Sequence, residues 1–162
     1  YRRQRQMCIR DSDTFVELAA PFLENAGIPS LSSPPLSAVL SLVKEKVKLF
    51  SELPDAVRYF FTEDFCIDPD ASQKALSKPD TKTKLNALAD AFDQTSPWQA
   101  ESIEASLRNV ATSLSAKPGE LVPATRVATS GKSSGPSLYP MLELFGQKRT
   151  SARLRKTATT LP

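Results

Sequence analysis

The sequence contains no histidine, few glycines and no long run of apolar residues. Residues 131–135 satisfy the G-x-S-x-G pattern of hydrolases, but the serine of that motif needs a histidine base, so a hydrolase is excluded. No segment approaches the roughly 20 apolar residues that span a bilayer. The missing apolar run predicts a soluble protein without a membrane partner, and the expected location is the cytoplasm.

The opening run, YRRQRQMCIRDS, contains four arginines and no apolar periodicity. An arginine-rich arm that binds phosphate and a transit peptide are two interpretations, but the run is too short for the second. Residues 2–12 can instead be encoded, in one reading frame, by the transposon-end adapter used to build sequencing libraries. We therefore interpret residues 1–12 as a disordered artefact and expect the biological chain to start near Asp13, not at its native N-terminus. Without Cys8, only Cys66 remains, which excludes an intrachain disulfide and favours a reducing compartment.

Charge is distributed unevenly along the rest of the chain. The net charge of +3 comes entirely from the opening run, because the remaining residues hold 17 basic and 17 acidic side chains. Residues 13–120 have a net charge of −6, whereas residues 121–162 have seven basic residues and only Glu143 as an acid. This asymmetry favours a polyanionic partner for the basic part, and an exposed charged tail is the alternative.

Apolar residues recur with helical spacing, and no alternating strand is present. The pattern predicts five helices, at Thr14–Asn25, 36–50, Leu53–Phe61, around 85–92 and at 97–114. Asp13 is the predicted N-cap of the first helix, and Pro97 is the predicted first residue of the fifth. A helix turn that ends at Gly146 and a basic last helix follow. The prediction is an all-α, two-part helical bundle, with a first subdomain at 13–116, a basic second subdomain at 117–158 and a tail at 159–162.

Other motifs do not indicate chemistry. The letters GKS would end a P-loop, but Arg126 stands where that motif requires glycine. The acidic residues Asp64, Asp68 and Asp70 lack the spacing of a calcium loop and predict a solvated loop. Trp98 and the aromatic run at 59–61 could stack on bases, but their positions favour core packing. The loop at 131–137 is either a plain turn or a turn whose backbone N–H groups bind a phosphate or a base.

The last third of the chain has the most specific pattern, K-P-G at 117–119, R-V-A at 126–128, G-P-S-L-Y at 135–139 and L-E at 142–143 before Gly146. This order resembles the C-terminal anticodon-binding region of bacterial-type glutamyl-tRNA synthetases, and the resemblance spans residues 13–158. Two departures stand out. Pro123 and Ala124 replace the usual His-Pro pair of the family, and Lys46 stands where arginine is common.

The resemblance implies a class I synthetase helix cage and two groups of tRNA contacts. Arg126, Gly135, Pro136 and Leu138 match the positions that contact anticodon bases. A guanidinium offers bidentate donors, and an apolar wall suits a splayed-out base. Phosphate contacts that do not depend on base sequence are expected from five basic residues. These are Lys46, Arg149, Arg153, Arg155 and Lys156.

The same resemblance implies that the parent protein is a glutamate–tRNA ligase that attaches glutamate to tRNA(Glu) with ATP in protein biosynthesis. The two ATP-binding signatures of that enzyme do not occur here, so the chain is expected to be a non-catalytic fragment without a cofactor or metal. ATP and Mg²⁺ would belong to the missing catalytic domain. The expected oligomeric state is a monomer. A parent that charges other tRNAs remains open. The alternative from another class is a helical protein-interaction module that does not bind nucleic acid.

Overall fold

The computed structural model describes residues 12–27, 36–44, 46–47, 49–61 and 66–161. These residues form nine α-helices and one short 3₁₀ helix at Phe50–Glu52, and no strand occurs among them, which confirms the all-α prediction. The α-helices are α1 (Ser12–Asn25), α2 (Leu36–Val43), α3 (Leu53–Phe61), α4 (Pro69–Leu76), α5 (Thr81–Asp93), α6 (Ala100–Ser113), α7 (Pro118–Ser130), α8 (Leu138–Phe145) and α9 (Gln147–Thr160). No helix in this described part is long and apolar enough to cross a membrane.

The opening run lies almost entirely outside the described residues. Its interpretation as an artefact therefore remains a prediction for residues 1–11. Ser12 is already the first residue of α1, so the predicted N-cap at Asp13 is wrong and Asp13 lies inside the helix. The end of α1 agrees with the sequence, because Gly27 adopts a φ of 75° two residues after Asn25.

The backbone forms two compact units, Tyr1–Asp64 and Phe65–Pro162. The predicted boundary at residue 117 falls within the second unit, at the N-cap residue directly before α7. As a division between two functional subdomains, 13–116 and 117–158 stay a prediction.

The first unit contains α1, α2, the 3₁₀ helix and α3. Helix α2 ends at Val43, seven residues before the end of the predicted apolar stripe, although Val47 is still buried. A longer helix would place Lys44 and Lys48 four residues apart on one face, where like charges repel. Helix α3 buries Leu53, Val57, Tyr59 and Phe60. Core packing is therefore confirmed for Tyr59 and Phe60, whereas Phe61 is half-buried.

The second unit contains two helices that apolar periodicity did not predict. Helix α4 begins at Pro69, and the Asp68 carboxylate accepts a hydrogen bond of 3.0 Å from the Asp70 backbone N–H. Asp68 is therefore an N-cap, where the sequence predicted only a solvated loop. Helix α7 contains Pro123, which has no N–H to donate to the Gly119 carbonyl. Gly119 is exposed, so water can satisfy that carbonyl.

The core of the second unit lies between α5, α6, α7, α8 and α9. Residues of every one of these helices are fully or nearly fully buried. They include Leu85, Phe92, Ile103, Leu107, Leu121, Val127, Met141, Leu142 and Leu154. The remaining helix, α4, packs on α7. Burial of this apolar surface is the main force that stabilises the unit.

Candidate nucleic-acid interface

The turn between α7 and α8, residues 131–137, contains two of the predicted anticodon contacts, Gly135 and Pro136, and the other two, Arg126 and Leu138, lie in the helices on either side of it. It begins at Gly131, which has a φ of 77° and donates its N–H to the Val127 carbonyl at 2.8 Å. The Gly131 carbonyl accepts the N–H of Asp68 at 2.8 Å. The Ser130 hydroxyl donates to the Arg126 carbonyl at 2.7 Å and accepts the Lys132 N–H at 3.3 Å. These bonds fix the backbone where the chain leaves α7.

Arg126 and Pro136 meet across this turn. Nη1 of Arg126 donates a hydrogen bond of 2.6 Å to the Pro136 carbonyl. Arg126 is half-buried, and Gly135 is half-buried directly before Pro136. Three of the four residues predicted from the resemblance are therefore close together, and the bond to Pro136 orients the plane of the guanidinium, which carries five N–H donors.

Leu138 occupies a different environment from the one predicted. It is the first residue of α8 and its residue surface is only 3% exposed. An apolar wall for a splayed-out base requires accessible surface, and this structure uses the Leu138 side chain in the core instead. A contact between Leu138 and a base remains a prediction that would need this side chain to become exposed.

Arg153 is also buried, with 2% exposure, so its contact with the phosphate backbone stays a prediction that would need this side chain to become exposed. Its Nη1 donates to the Thr129 carbonyl at 2.7 Å, and its guanidinium carbon lies 4.7 Å from the centroid of the Phe145 ring. The Thr157 hydroxyl donates to the neighbouring Ala128 carbonyl at 3.2 Å. The last carbonyls of a helix have no partner within it, and here side chains of α9 satisfy two of them in α7. The positive charge of Arg153 also interacts favourably with the negative C-terminal end of the α7 helix dipole.

Arg155 is exposed but already paired. Its Nη2 lies 2.8 Å from Oδ1 of Asp90 and also contacts the carboxylate of Asp93. Hydrogen bonds from the Ser151 hydroxyl and from Arg155 hold the pKa of Asp93 below its usual value. The same ion pairs, with Asp90 first, raise the pKa of Arg155. A phosphate would have to compete with two carboxylates for this side chain.

The remaining predicted phosphate contacts are accessible to different extents. Lys156 is exposed on α9, and Lys148, which the sequence prediction missed, is exposed two turns earlier with Ala152 between them. Neither lysine forms an ion pair within the part of the chain that the structure describes. Arg149 is half-buried, and Lys46 is exposed in the first unit. We call Lys148, Arg149 and Lys156 the α9 basic face.

The L-E-x-x-G motif has a structural role that sequence reasoning missed. The Leu142 carbonyl accepts the Trp98 indole N–H at 3.0 Å, and a Glu143 carboxylate oxygen accepts the Ala100 N–H at 2.9 Å. The only acidic residue of 121–162 therefore caps the N-terminus of α6. Helix α6 begins at Ala100, not at Pro97 as predicted, because this cap is supplied there.

Gln147 completes the attachment of this segment to the end of α5. Its side-chain amide nitrogen lies 2.7 Å from the Phe92 carbonyl, 3.0 Å from that of Asp93 and 2.9 Å from that of Thr95. Trp98 is half-buried and packs edge to face on the buried Phe92, with ring centroids 5.4 Å apart, so it packs at the edge of the core that the sequence predicted for it. The presence of Trp98 beside a proline, and of one acid in a basic region, were the available sequence signals.

The site has the groups for recognition. Burial, with a smaller effect of Glu104, raises the pKa of Tyr139, so this phenol remains a neutral hydrogen-bonding group. No cluster of three metal-ligating side chains occurs among the described residues. An oriented guanidinium beside a backbone turn, with cations on a neighbouring helix, is suited to binding a base edge and phosphate oxygens.

Comparisons with known proteins found a matching family, similar curated proteins and a similar solved structure. A family described as "Anticodon binding domain" matches residues 14–158. The chain is 33% identical over 152 residues to a glutamate–tRNA ligase of Akkermansia muciniphila, covering 94% of the chain and 34% of that protein. It is 31% identical over 144 residues to a glutamate–tRNA ligase of Elusimicrobium minutum, covering 88% and 29%. The chain thus spans about a third of the length of these curated relatives.

A solved structure has the same fold. It is the crystal structure of a glutamate tRNA ligase from Elizabethkingia meningosepticum in complex with its amino acid. The TM-score is 0.83 at 22% sequence identity, and the alignment covers 98% of this chain and 31% of that one.

Proposed function

The chain belongs to the anticodon-binding domain family, and from this premise we propose that it binds tRNA(Glu) and reads its anticodon at the turn between α7 and α8. The hydrogen bond from Arg126 to the Pro136 carbonyl is the observation on which this proposal rests. It orients a guanidinium at the edge of a turn, within a chain whose family is defined by anticodon binding. Unstacked anticodon bases offer hydrogen-bonding edges that such a group can contact.

Phosphate attraction is the second part of the proposal. The α9 basic face provides three cations, and Lys46 of the first unit provides another. Contacts of this kind position the RNA but do not discriminate between bases, and they weaken as salt increases. Base discrimination therefore falls to Arg126 and the backbone of residues 135–136.

We further propose that the whole protein is a glutamate–tRNA ligase that acts with ATP in translation, in the cytoplasm and as a monomer. The relatives that carry this name are about three times as long as the matched segment. Neither ATP-binding signature occurs in this sequence, and the sequence has no histidine. We therefore assign glutamate activation to residues outside this sequence and derive no chemical step here.

The test is a comparison of two RNAs. The chain is titrated with tRNA that carries a glutamate anticodon and with the same tRNA after its anticodon is replaced, at moderate salt. We expect a preference of about tenfold for the first, because one specific base contact contributes about 1–3 kcal/mol. Arg126→Ala should reduce this preference, whereas Lys156→Ala should weaken both complexes equally.

Other results would change the proposal. Equal affinity for both RNAs would contradict base reading and leave only phosphate binding. The absence of binding even at low salt would favour the protein-interaction module. A third tRNA, with a glutamine anticodon, separates a domain that discriminates between the two amino acids from one that accepts both.

A further inference from the structure

We propose that Arg153 is a positioning residue, which sets the turn between α7 and α8 by holding both helices that flank it. The inference rests on the proposed function, because it explains how the Arg126 guanidinium is fixed for base reading. Its structural part concerns only this chain and can be tested without RNA.

The first contact of Arg153 is with the helix before the turn. Its Nη1 donates to the Thr129 carbonyl at 2.7 Å, in the last turn of α7 and three residues after Arg126. Thr129 itself donates its hydroxyl to the Thr125 carbonyl at 2.8 Å, and Ser130 donates to the Arg126 carbonyl at 2.7 Å. Arg153 is thus bonded directly to the helical turn whose geometry determines the direction of the Arg126 side chain.

The second contact of Arg153 is with the helix after the turn. Its guanidinium lies over the Phe145 ring at 4.7 Å, and Phe145 is 5% exposed at the end of α8. Cations over buried aromatic faces are attracted more strongly than exposed ones. One buried side chain therefore touches the helix that carries Arg126 and the helix that begins just after Pro136.

These contacts determine the distance across the turn. Arg126 reaches the Pro136 carbonyl only if α7 and α8 keep their separation, because the bond joins residues ten positions apart on opposite sides of the turn. Helices that lose a shared contact can shift, and a shift of about 1 Å already exceeds the range of a good hydrogen bond. A planar guanidinium, which bonds at its edge and stacks with its face, can hold both helices simultaneously.

The experiment uses the full chain with Arg153→Met, Arg153→Lys and the control Leu154→Val. Leu154 is fully buried beside Arg153 on α9, so this control removes packing from the same helix and leaves the contact with Thr129 in place. The first measurement is the NMR signal of the Arg126 guanidinium protons, whose exchange with water reports the bond to Pro136. The second is the preference for the glutamate anticodon over the replaced anticodon.

Arg153→Met should increase proton exchange at Arg126 and reduce the anticodon preference at least about threefold, a substantial part of one base contact. Arg153→Lys keeps the charge and one donor but lacks the planar face, so partial recovery is expected. Leu154→Val should change neither measurement under conditions where all variants are folded. This outcome distinguishes positioning from general stabilisation.

Two results would overturn the inference. One is a folded Arg153→Met chain, or a folded Arg153→Lys chain if methionine prevents folding, with unchanged Arg126 exchange and unchanged preference. The other is an equal loss of both in Leu154→Val. If the unaltered chain shows no anticodon preference, base reading fails, and the Arg126 exchange measurement still decides the positioning role.

Discussion

The two sides of α9 carry basic residues that are alike in sequence and opposite in environment. Arg153 is buried and bonded to the end of α7, whereas Lys148 and Lys156 are exposed. Arg155 lies between these extremes, because it is exposed but paired with two carboxylates of α5. Counting charges along a helix therefore overestimates the surface available to a polyanion, and burial with local partners decides which cations can contribute.

Among the variants that test this difference between the two sides of α9, Arg153→Ala should have the largest effect on stability. It removes a buried charge, leaves the Thr129 carbonyl without its donor and creates a void against Phe145. The free energy of unfolding should fall by about 2–4 kcal/mol. Urea denaturation of the variant and of Lys156→Ala provides the measurement, and equal loss in both would show that the two sides of α9 do not differ.

Gln147→Ala tests the first residue of the same helix. Two carbonyls at the end of α5 and that of Thr95, two residues later, lie within 3.0 Å of this one amide nitrogen. Losing the donor should decrease the free energy of unfolding by about 1–2 kcal/mol, less than the loss for the buried arginine. Thermal unfolding of Gln147→Ala is the measurement. The same measurement on Gln147→Glu, which keeps the side-chain length but removes the donor, separates the hydrogen bonds from side-chain packing. A stable Gln147→Glu chain would show that the hydrogen bonds contribute little.

The double variant Asp90→Asn with Asp93→Asn would convert the paired cation into an accessible one. Exposed ion pairs contribute only about 0–1 kcal/mol, so stability should change little. Affinity for both RNAs should rise, and the salt dependence should steepen by about one phosphate contact. Binding at several salt concentrations tests this, with Asp80→Asn, an exposed acid before α5, as the control.

The same pair predicts a small effect of pH. The pKa of Asp93 is lower in the folded chain than its usual value, so its contribution to stability is present at neutral pH and is lost as pH falls below about 4. Urea midpoints between pH 7 and pH 3 should therefore decrease less steeply in Asp93→Asn. An identical slope in both proteins would show that Asp93 does not contribute.

Lys156→Ala should have the smallest effect on stability, within about 0.5 kcal/mol, because the side chain is exposed. Its affinity for RNA should decrease by a similar factor whatever the anticodon. Filter binding with the two tRNAs at one salt concentration compares the factors, and Ala152→Ser on the same side is the matched control. A selective loss for the glutamate anticodon would place Lys156 among base-reading residues.

The sequence predicted the fold class well and the local environments less well. Apolar periodicity identified the helices of the core, and the motif order led to the resemblance that the comparisons confirm. Apolar periodicity did not identify α7, because this helix contains Pro123 and many small and hydroxyl residues, which leave few large apolar residues with helical spacing. The sequence prediction also treated Arg153 as a surface cation, although the buried positions 150, 153, 154, 157 and 158 form a helical stripe that includes it.

The resemblance located the turn but not the partners of its residues. Arg126 and Pro136 are close together as the motif suggests, and their hydrogen bond depends on distances that no spacing in the sequence encodes. The motif predicts an accessible apolar side chain at Leu138, whereas the packing of α8 places this side chain in the core. Local sequence patterns do not predict side chains that form hydrogen bonds between helices, such as Glu143 and Gln147.

The contacts from α9 to α7 also affect the order of folding during protein synthesis. Arg153 and Thr157 reach back across 24 and 29 residues to the carbonyls that they satisfy. Since a ribosome produces α7 and α8 before α9, these carbonyls have no such partner until the last of the three helices has emerged. The turn between α7 and α8 therefore acquires its final geometry late, and a nascent chain that stops before Arg153 has the anticodon motif in its sequence without the contacts that order it.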